Sequence, residues 1–196
     1  TPVMILADGL IGQMMEPVTM PEFKSDEEIK VEKPWAATGW HEGCGRPRAI
    51  INSLYIEDEA LEALHERLQA RYRIIEQNEV RYEYYNIEDA EVILIAYGTI
   101  SRVCRSAIDE LAEEGIKVGM VRPITLWPFP SQAVLDAVAQ PSVKKALAVE
   151  ISAGQMVEDA RLAVNGLKEV AFLGYPGSKI ATVEEIIAKV KALREE

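Results

Sequence analysis

The residues with chemistry in them stand just after apolar runs. Gly98-Thr99-Ile100-Ser101 follows Val92-Ile93-Leu94-Ile95-Ala96 and opens a helical pattern, so its backbone N–H groups are placed to receive an anion. One glycine stands where a dinucleotide fingerprint has three, and no phosphate-loop lysine follows. The alternative reading of the same residues is structural: Gly98 lets strand and helix approach closely, and Thr99 caps the helix. Arg122 ends the next apolar run, Val118-Gly119-Met120-Val121, and Glu150 ends the one after, Ala146-Leu147-Ala148-Val149. Neighbouring strands lie ~4.8 Å apart, so a strand ending in Gly98 between these two would let Arg122 reach over it to Glu150. We expect that pair at the rim of a sheet, in a structural or interfacial role.

Other candidates are weaker. His41 and Cys44 have a metal-like spacing, but a closed zinc site takes four ligands and no second pair follows. Cys44 and Cys104 are too few and too far apart for an iron–sulfur cluster. Cys104 falls near the apolar face of the helix after Gly98 and reads as a small buried hydrophobe. His65 reads as a half-buried packing residue. No Ser/His/Asp set and no pair of carboxylates at a common strand end can be assembled.

The elements that must position these groups alternate. Glu91 to Pro130 reads as strand, helix, strand: Ile100, Val103, Ala107, Ile108 and Leu111 share one face of a helix that ends at Gly115. After Pro130 comes a helix capped by Ser131 with Ala133, Val134, Ala137 and Val138 inward. The strand to Glu150 follows, and then a helix opened by the capping box Ser152-Ala153-Gly154-Gln155. Val170 to Leu173 is the last strand, and Thr182-Val183-Glu184-Glu185 opens a terminal helix. Near-continuous apolar strands of this kind belong to a parallel sheet covered on both faces. Tyr82 to Tyr85 alternates like an edge strand.

Upstream of Tyr82 the pattern differs. Pro2-Val3-Met4-Ile5-Leu6-Ala7 reads as a fully buried strand with nothing nearby to pair with, so we expect the chain to be a fragment of a longer one. From Pro21 to Pro47 no apolar period survives, as in a functional loop or connector. Trp35 and Trp40 are its notable side chains, placed to anchor it on a neighbouring domain. Asp58 caps a helix running to about Val80, with Leu61, Leu64, Leu68, Tyr72 and Ile75 on one seam.

Composition bounds the function. The 196 residues are 48% hydrophobic and 27% charged, as in a globular protein, and the net charge of −11 is wrong for nucleic acid. Residues 1–90 carry 18 acidic and 9 basic side chains, so most of the negative charge lies there. No apolar stretch approaches the ~20 residues of a membrane span, and the sparse cysteines fit a cytoplasmic location.

Three stretches together resemble the α subunit of 2-oxoacid:ferredoxin oxidoreductases of the 2-ketoisovalerate or 2-oxoglutarate type. They are residues 6–16 (LADGLIGQMME), 96–102 (AYGTISR) and 122–130 (RPITLWPFP). The resemblance implies that residues 1–22 end a thiamine-diphosphate pyrimidine domain and 23–81 are a connector loop and long helix. It implies that residues 82–196 form a three-layer α/β/α, transketolase C-terminal-like domain. That sheet is mostly parallel with one antiparallel edge strand, and the Gly98 strand lies between those of Arg122 and Glu150. Such enzymes decarboxylate a 2-oxoacid onto coenzyme A and pass electrons through iron–sulfur clusters to ferredoxin. The implied thiamine diphosphate, magnesium, clusters and coenzyme A belong to the complex, and none is assigned to residues of this chain. The implied partners are β, γ and ferredoxin-like δ subunits. The end of the sheet carrying Gly98, Thr99, Arg122, Trp127, Phe129, Glu150 and Gln155 would then pack against partner domains. The competing readings are an independent nucleotide-binding module built on Gly98-Thr99, or a protein–protein scaffold.

Overall fold

The computed structural model describes residues 2–177 and 179–195. The chain divides into two units, residues 1–14 with 73–196, and residues 15–72.

The first unit is built on a five-stranded sheet. Its strands are β1 (Tyr82–Tyr85), β2 (Val92–Ile95), β3 (Val118–Pro123), β4 (Lys145–Glu150) and β5 (Val170–Gly174), in the order β1-β3-β2-β4-β5. β1 runs antiparallel beside β3, and the other neighbours are parallel. The edge strand is therefore as the alternation of Tyr82 to Tyr85 leads one to expect, and the central place of β2 is as the family resemblance implies.

The apolar runs explain the layers. Alternate residues of a strand point to opposite faces, so a run with no polar gap must be covered twice. Val92, Leu94, Met120, Leu147 and Val149 face one way, toward Ile100, Ile108 and Leu111 of α3 (Gly98–Glu113) and Ile186 and Val190 of α6 (Val183–Glu195). Ile93, Ile95, Val121, Ala146 and Ala148 face the other way, toward α4 (Ser131–Val138) and α5 (Met156–Val164). Gly119 in β3 lies under the turn between β1 and β2, where a Cβ would stand 2.7 Å from the Ile87 backbone. Cys104 is fully buried on α3, and burial pushes its thiol up to about 12.

The local details correct several expectations. α4 is preceded by Pro130, and Ser131 is its first helical residue rather than its cap. α5 begins at Met156, so Ser152 does not open it; the group that does is described below. The second capping box is present, with Thr182 and Glu185 bonded reciprocally through side chain and backbone. Pro2 to Ala7 forms no strand, and Val3, Met4, Ile5 and Leu6 are exposed, because no strand of the described residues lies alongside that backbone.

The second unit holds α1 (Asp26–Ile29) and most of α2 (Asp58–Asn78). Asp58 sits inside the first turn of α2 rather than capping it. Leu64, Leu68, Tyr72 and Ile75 are the less exposed residues of the helix, as their seam requires, but Leu61, expected on the same seam, is exposed, and His65 is exposed and not a packing residue. Residues 38–46 are stapled locally: Trp40 Nε1 donates to the Arg46 carbonyl at 3.0 Å, and the Arg46 guanidinium bonds the Thr38 and Gly39 carbonyls. Among the described residues no helix is long and apolar enough to cross a membrane.

Candidate functional site at the carboxyl ends of the strands

Ligands of open α/β sheets bind where the strands end, so the groups there decide what the domain can do. β2 ends at Ile95 and leads through Tyr97 to α3, whose first residue, Gly98, has φ +61°. That left-handed backbone is what requires glycine here. A Cβ would meet nothing within 4 Å, so close packing against the helix is not the reason. Thr99 is buried but does not cap α3. Its Oγ1 donates to Asp8 Oδ2 at 2.6 Å, while Asp8 Oδ1 accepts the Ile11 N–H at 2.8 Å. Ser101 Oγ turns back to the Gly98 carbonyl. The helix start that the sequence offers to an anion therefore has a carboxylate of the same chain beside it. Those bonds, the Ile11 N–H first and the Thr99 hydroxyl next, hold the Asp8 carboxyl below its usual range.

Glu150, the last residue of β4, is fully buried. Its Oε2 accepts from Gln155 N at 3.1 Å, Met156 N at 2.9 Å and Ser152 Oγ at 3.0 Å; Oε1 accepts from Val157 N at 2.8 Å. A strand-end carboxylate thus satisfies the free N–H groups at the start of α5 and complements its dipole. Gln155 contributes its backbone, while its side chain makes no cap bond. Tyr97 stands near enough that burial, and secondarily the Glu150 charge, push its phenol upward.

Arg122 does not reach Glu150, which corrects the cross-strand pair expected from the sequence. Instead Arg122 stands opposite Glu83 in the antiparallel register, and its Nη1 lies 3.0 Å from Glu83 Oε2. Arg105 of α3 holds the other oxygen at 2.5 Å and lies over the Tyr85 ring, 4.8 Å from its centroid. The two guanidiniums, Arg105 foremost, keep the Glu83 carboxyl below its usual range. The physical reason is competition: Glu150 already has backbone donors on its own side, and directly opposed charges pair best across strands. This cluster escaped the sequence because Glu83 meets Arg122 only once β1 is known to lie beside β3. Nothing near Asp8 in the sequence marks its bond to Thr99, 91 residues away.

Phe129 packs partly buried against the α4–α5 face of the sheet. Trp127, preceding a cis Pro128, is 56% exposed, and Ile124 is 51% exposed on the same connection. The expected site residues thus divide. Thr99, Arg122, Glu150 and Gln155 are bonded within the chain, and Trp127 presents apolar surface at the rim. Among the described residues no group of three or more His, Cys, Asp or Glu side chains is placed to hold a metal ion.

Residues 90–186 match the family described as pyruvate:ferredoxin oxidoreductase core domain II. The chain is 38% identical over 192 residues to the ketoisovalerate oxidoreductase subunit VorB of Methanothermobacter marburgensis, covering 98% of this chain and 52% of that protein. It is 26% identical over 220 residues to the 2-oxoglutarate synthase subunit KorA of the same organism, covering 98% and 56%. The chain spans about half the length of the curated relatives it matches. Among solved structures, a 2-oxoglutarate:ferredoxin oxidoreductase from Magnetococcus marinus, with 2-oxoglutarate, coenzyme A and succinyl-CoA bound, is similar. The TM-score is 0.62 at 20% identity over 83% of this chain and 30% of that one, a likeness of fold.

Proposed function

The chain belongs to the 2-oxoacid:ferredoxin oxidoreductase family, and from that membership we propose that it is the assembly part of an α-type subunit of such an enzyme. The complex would decarboxylate a 2-oxoacid, of the 2-ketoisovalerate or 2-oxoglutarate type, onto coenzyme A and pass the electrons to ferredoxin in the cytoplasm. Thiamine diphosphate, magnesium, iron–sulfur clusters and coenzyme A would be held by other portions of that complex, with β, γ and ferredoxin-like δ subunits as partners. Residues 1–22 would be the end of a pyrimidine-type domain, 23–81 a connector, and 82–196 the transketolase C-terminal-like domain. Gly98, Thr99, Arg122, Trp127, Phe129, Glu150 and Gln155 would serve structure and interface, not catalysis.

One observation carries this reading. The polar groups at the strand ends are engaged by the chain's own residues, Thr99 by Asp8, Glu150 by the start of α5 and Arg122 by Glu83. A domain whose rim is filled in this way acts by being placed, and the reactive groups must come from elsewhere. The test is to produce the chain with the partner subunits and measure 2-oxoacid- and coenzyme A-dependent reduction of ferredoxin or a viologen dye. Activity in the complex and none in the isolated chain is expected. Turnover by the isolated chain, or specific micromolar binding of ATP or NAD to it, would overturn the assignment in favour of an independent catalytic or nucleotide-binding module.

A further inference from the structure

Asn165 follows the last turn of α5 with φ 50° and ψ 42°, the left-handed conformation in which asparagine often ends a helix. Gly166 comes next, at φ +76°. Both residues are exposed, as is Leu167 after them. Gly166 has no side chain to shield its nitrogen, and a Cβ there would meet nothing within 4 Å. Its N–H donates no hydrogen bond among the described residues, although the N–H groups on either side do. Asn165 N donates to the Arg161 carbonyl at 2.9 Å, and Leu167 N to the Val164 carbonyl at 3.1 Å. The Asn165 side-chain amide has no hydrogen-bond partner among the described residues either.

The other three asparagines are held or shielded. Asn52 Nδ2 donates to the Leu54 carbonyl at 2.8 Å, and its Oδ1 accepts the Leu54 N–H at 3.0 Å. Asn78 Nδ2 donates to the Ile74 carbonyl at 2.8 Å, and the N–H that follows it, that of Glu79, is bonded to the Ile75 carbonyl. Asn86 is followed by Ile87, whose branched side chain crowds its own nitrogen, and the backbone of both lies against Gly119.

An asparagine amide carbon beside an unhindered, unbonded backbone nitrogen is open to attack by it, which is one reason asparagine is thermolabile. We propose that Asn165-Gly166 is a self-modification site. Gly166 N attacks Asn165 Cγ; the new N–C bond forms, the Cγ–Nδ2 bond breaks, and the amide leaves as ammonia with the proton given up by Gly166 N. Water opens the resulting five-membered succinimide at either carbonyl, leaving aspartate or isoaspartate at position 165. The rotation that brings the two atoms together breaks the Leu167 bond, and glycine's backbone freedom keeps its cost low.

The products bear on the neighbouring helix. A carboxylate at position 165 stands at the negative end of the α5 dipole. Isoaspartate also routes the main chain through the side chain, one methylene longer, in the turn that carries Lys168. Lys168 Nζ donates to the Val138 and Gln140 carbonyls at 2.7 and 2.8 Å, closing the end of α4. A longer turn draws that lysine off α4.

The test holds the purified chain at pH 8, folded and in urea, and follows it by mass spectrometry after trypsin, which cuts after Arg161 and Lys168 and releases the residues between as one peptide. The mass gain of an amide turned acid should appear first in that peptide. Its rate in the folded chain should be within about tenfold of the rate in urea, because an exposed turn opens at little cost. Asn165→Gly, which suits the same backbone, should show no gain there. The isoaspartyl chain, separated from the unmodified one, should exchange the Ala139 and Val143 amides at the end of α4 several-fold faster than Asn165→Asp does. A folded chain that keeps Asn165 while the chain in urea loses it would overturn the proposal. So would a mass gain that appears first at Asn52, Asn78 or Asn86. Equal exchange at Ala139 and Val143 in the isoaspartyl chain and in Asn165→Asp would overturn the link to α4.

Discussion

Thr99 Oγ1 and Asp8 Oδ2 lie 2.6 Å apart, joining the start of α3 to a turn 91 residues earlier. A helix N-terminus attracts anions, and the chain supplies its own. Replacing Thr99 by Val keeps the buried volume and leaves Asp8 without this donor. We expect a loss of about 1 kcal/mol, read by urea unfolding. Asp8→Asn should cost only a few tenths of a kcal/mol, because the carboxylate is exposed and screened. Since bonding depresses the Asp8 carboxyl, its contribution is present above the ordinary value of 3.8 and fades as pH falls through the lower folded value. A Thr99→Val chain as stable as wild type at pH 7 would show that the bond carries no weight.

Glu83 between Arg105 and Arg122 gives a second pH-dependent term. Its folded carboxyl is depressed below 4.5, so its stabilisation is complete above that value and declines at lower pH as the native carboxylate takes up a proton. All three side chains are between 33% and 40% exposed, which keeps the term to about 1 kcal/mol or less. Glu83→Gln should therefore destabilise at pH 7, and the gap to wild type should narrow as the pH falls below 4.5. A stability gap that persists unchanged at pH 3 would mean the loss is one of packing, not charge.

Gly119 tests backbone approach rather than charge. A methyl group there would stand 2.7 Å from Ile87 Cα and 2.8 Å from the Asn86 carbonyl oxygen, both backbone atoms. Neither can rotate away, so Gly119→Ala should cost about 2 kcal/mol or more by forcing β3 from the β1–β2 turn. Gly9, with nothing within 4 Å and no positive φ, is the control, and its substitution by Ala should be near neutral. Equal unfolding midpoints for the two variants would refute this packing.

Cys104 and Cys44 should separate by reactivity. The Cys104 thiol is buried and raised to about 12, while Cys44 is only half-buried. The thiolate is the reactive form, so a thiol reagent at pH 8 should modify Cys44 quickly and Cys104 only as fast as the domain opens. Rapid modification of both sulfurs in the native protein would contradict the burial of α3.

The sequence revealed the sheet more fully than its rim. Val92 to Ala96, set between turn residues and a helical pattern, reads as a central strand, and α3 announces itself by the spacing of Ile100, Ala107, Ile108 and Leu111. Burial follows from periodicity, a local property. Partners of charged groups do not: whether Arg122 meets Glu150 or Glu83 depends on register between β1 and β3 and on which donors reach Glu150 first. The Pro2–Ala7 run misleads for a related reason, since apolar content calls for cover but does not create a neighbouring strand. Ser152 to Gln155 has the form of a capping box, yet the stronger acceptor five residues before Gln155 took its place.

That acceptor yields the largest expected effect. Glu150 is fully buried and bonded by three backbone N–H groups and the Ser152 hydroxyl. Glu150→Ala would leave the first N–H groups of α5 without a partner and open a cavity at the end of β4. The expected loss is about 3–5 kcal/mol. Glu150→Gln keeps the shape but turns an amide donor toward donors, so about half that loss should remain. Ser152→Ala removes one of the four bonds and should cost about 1 kcal/mol. The order Ala, Gln, then Ser152→Ala in denaturant midpoints, with amide exchange accelerated first at Met156 and Val157, is the result this geometry requires. If Glu150→Gln proved as stable as wild type, the carboxylate would be a spectator and α5 would owe its position to packing against α4 and the sheet.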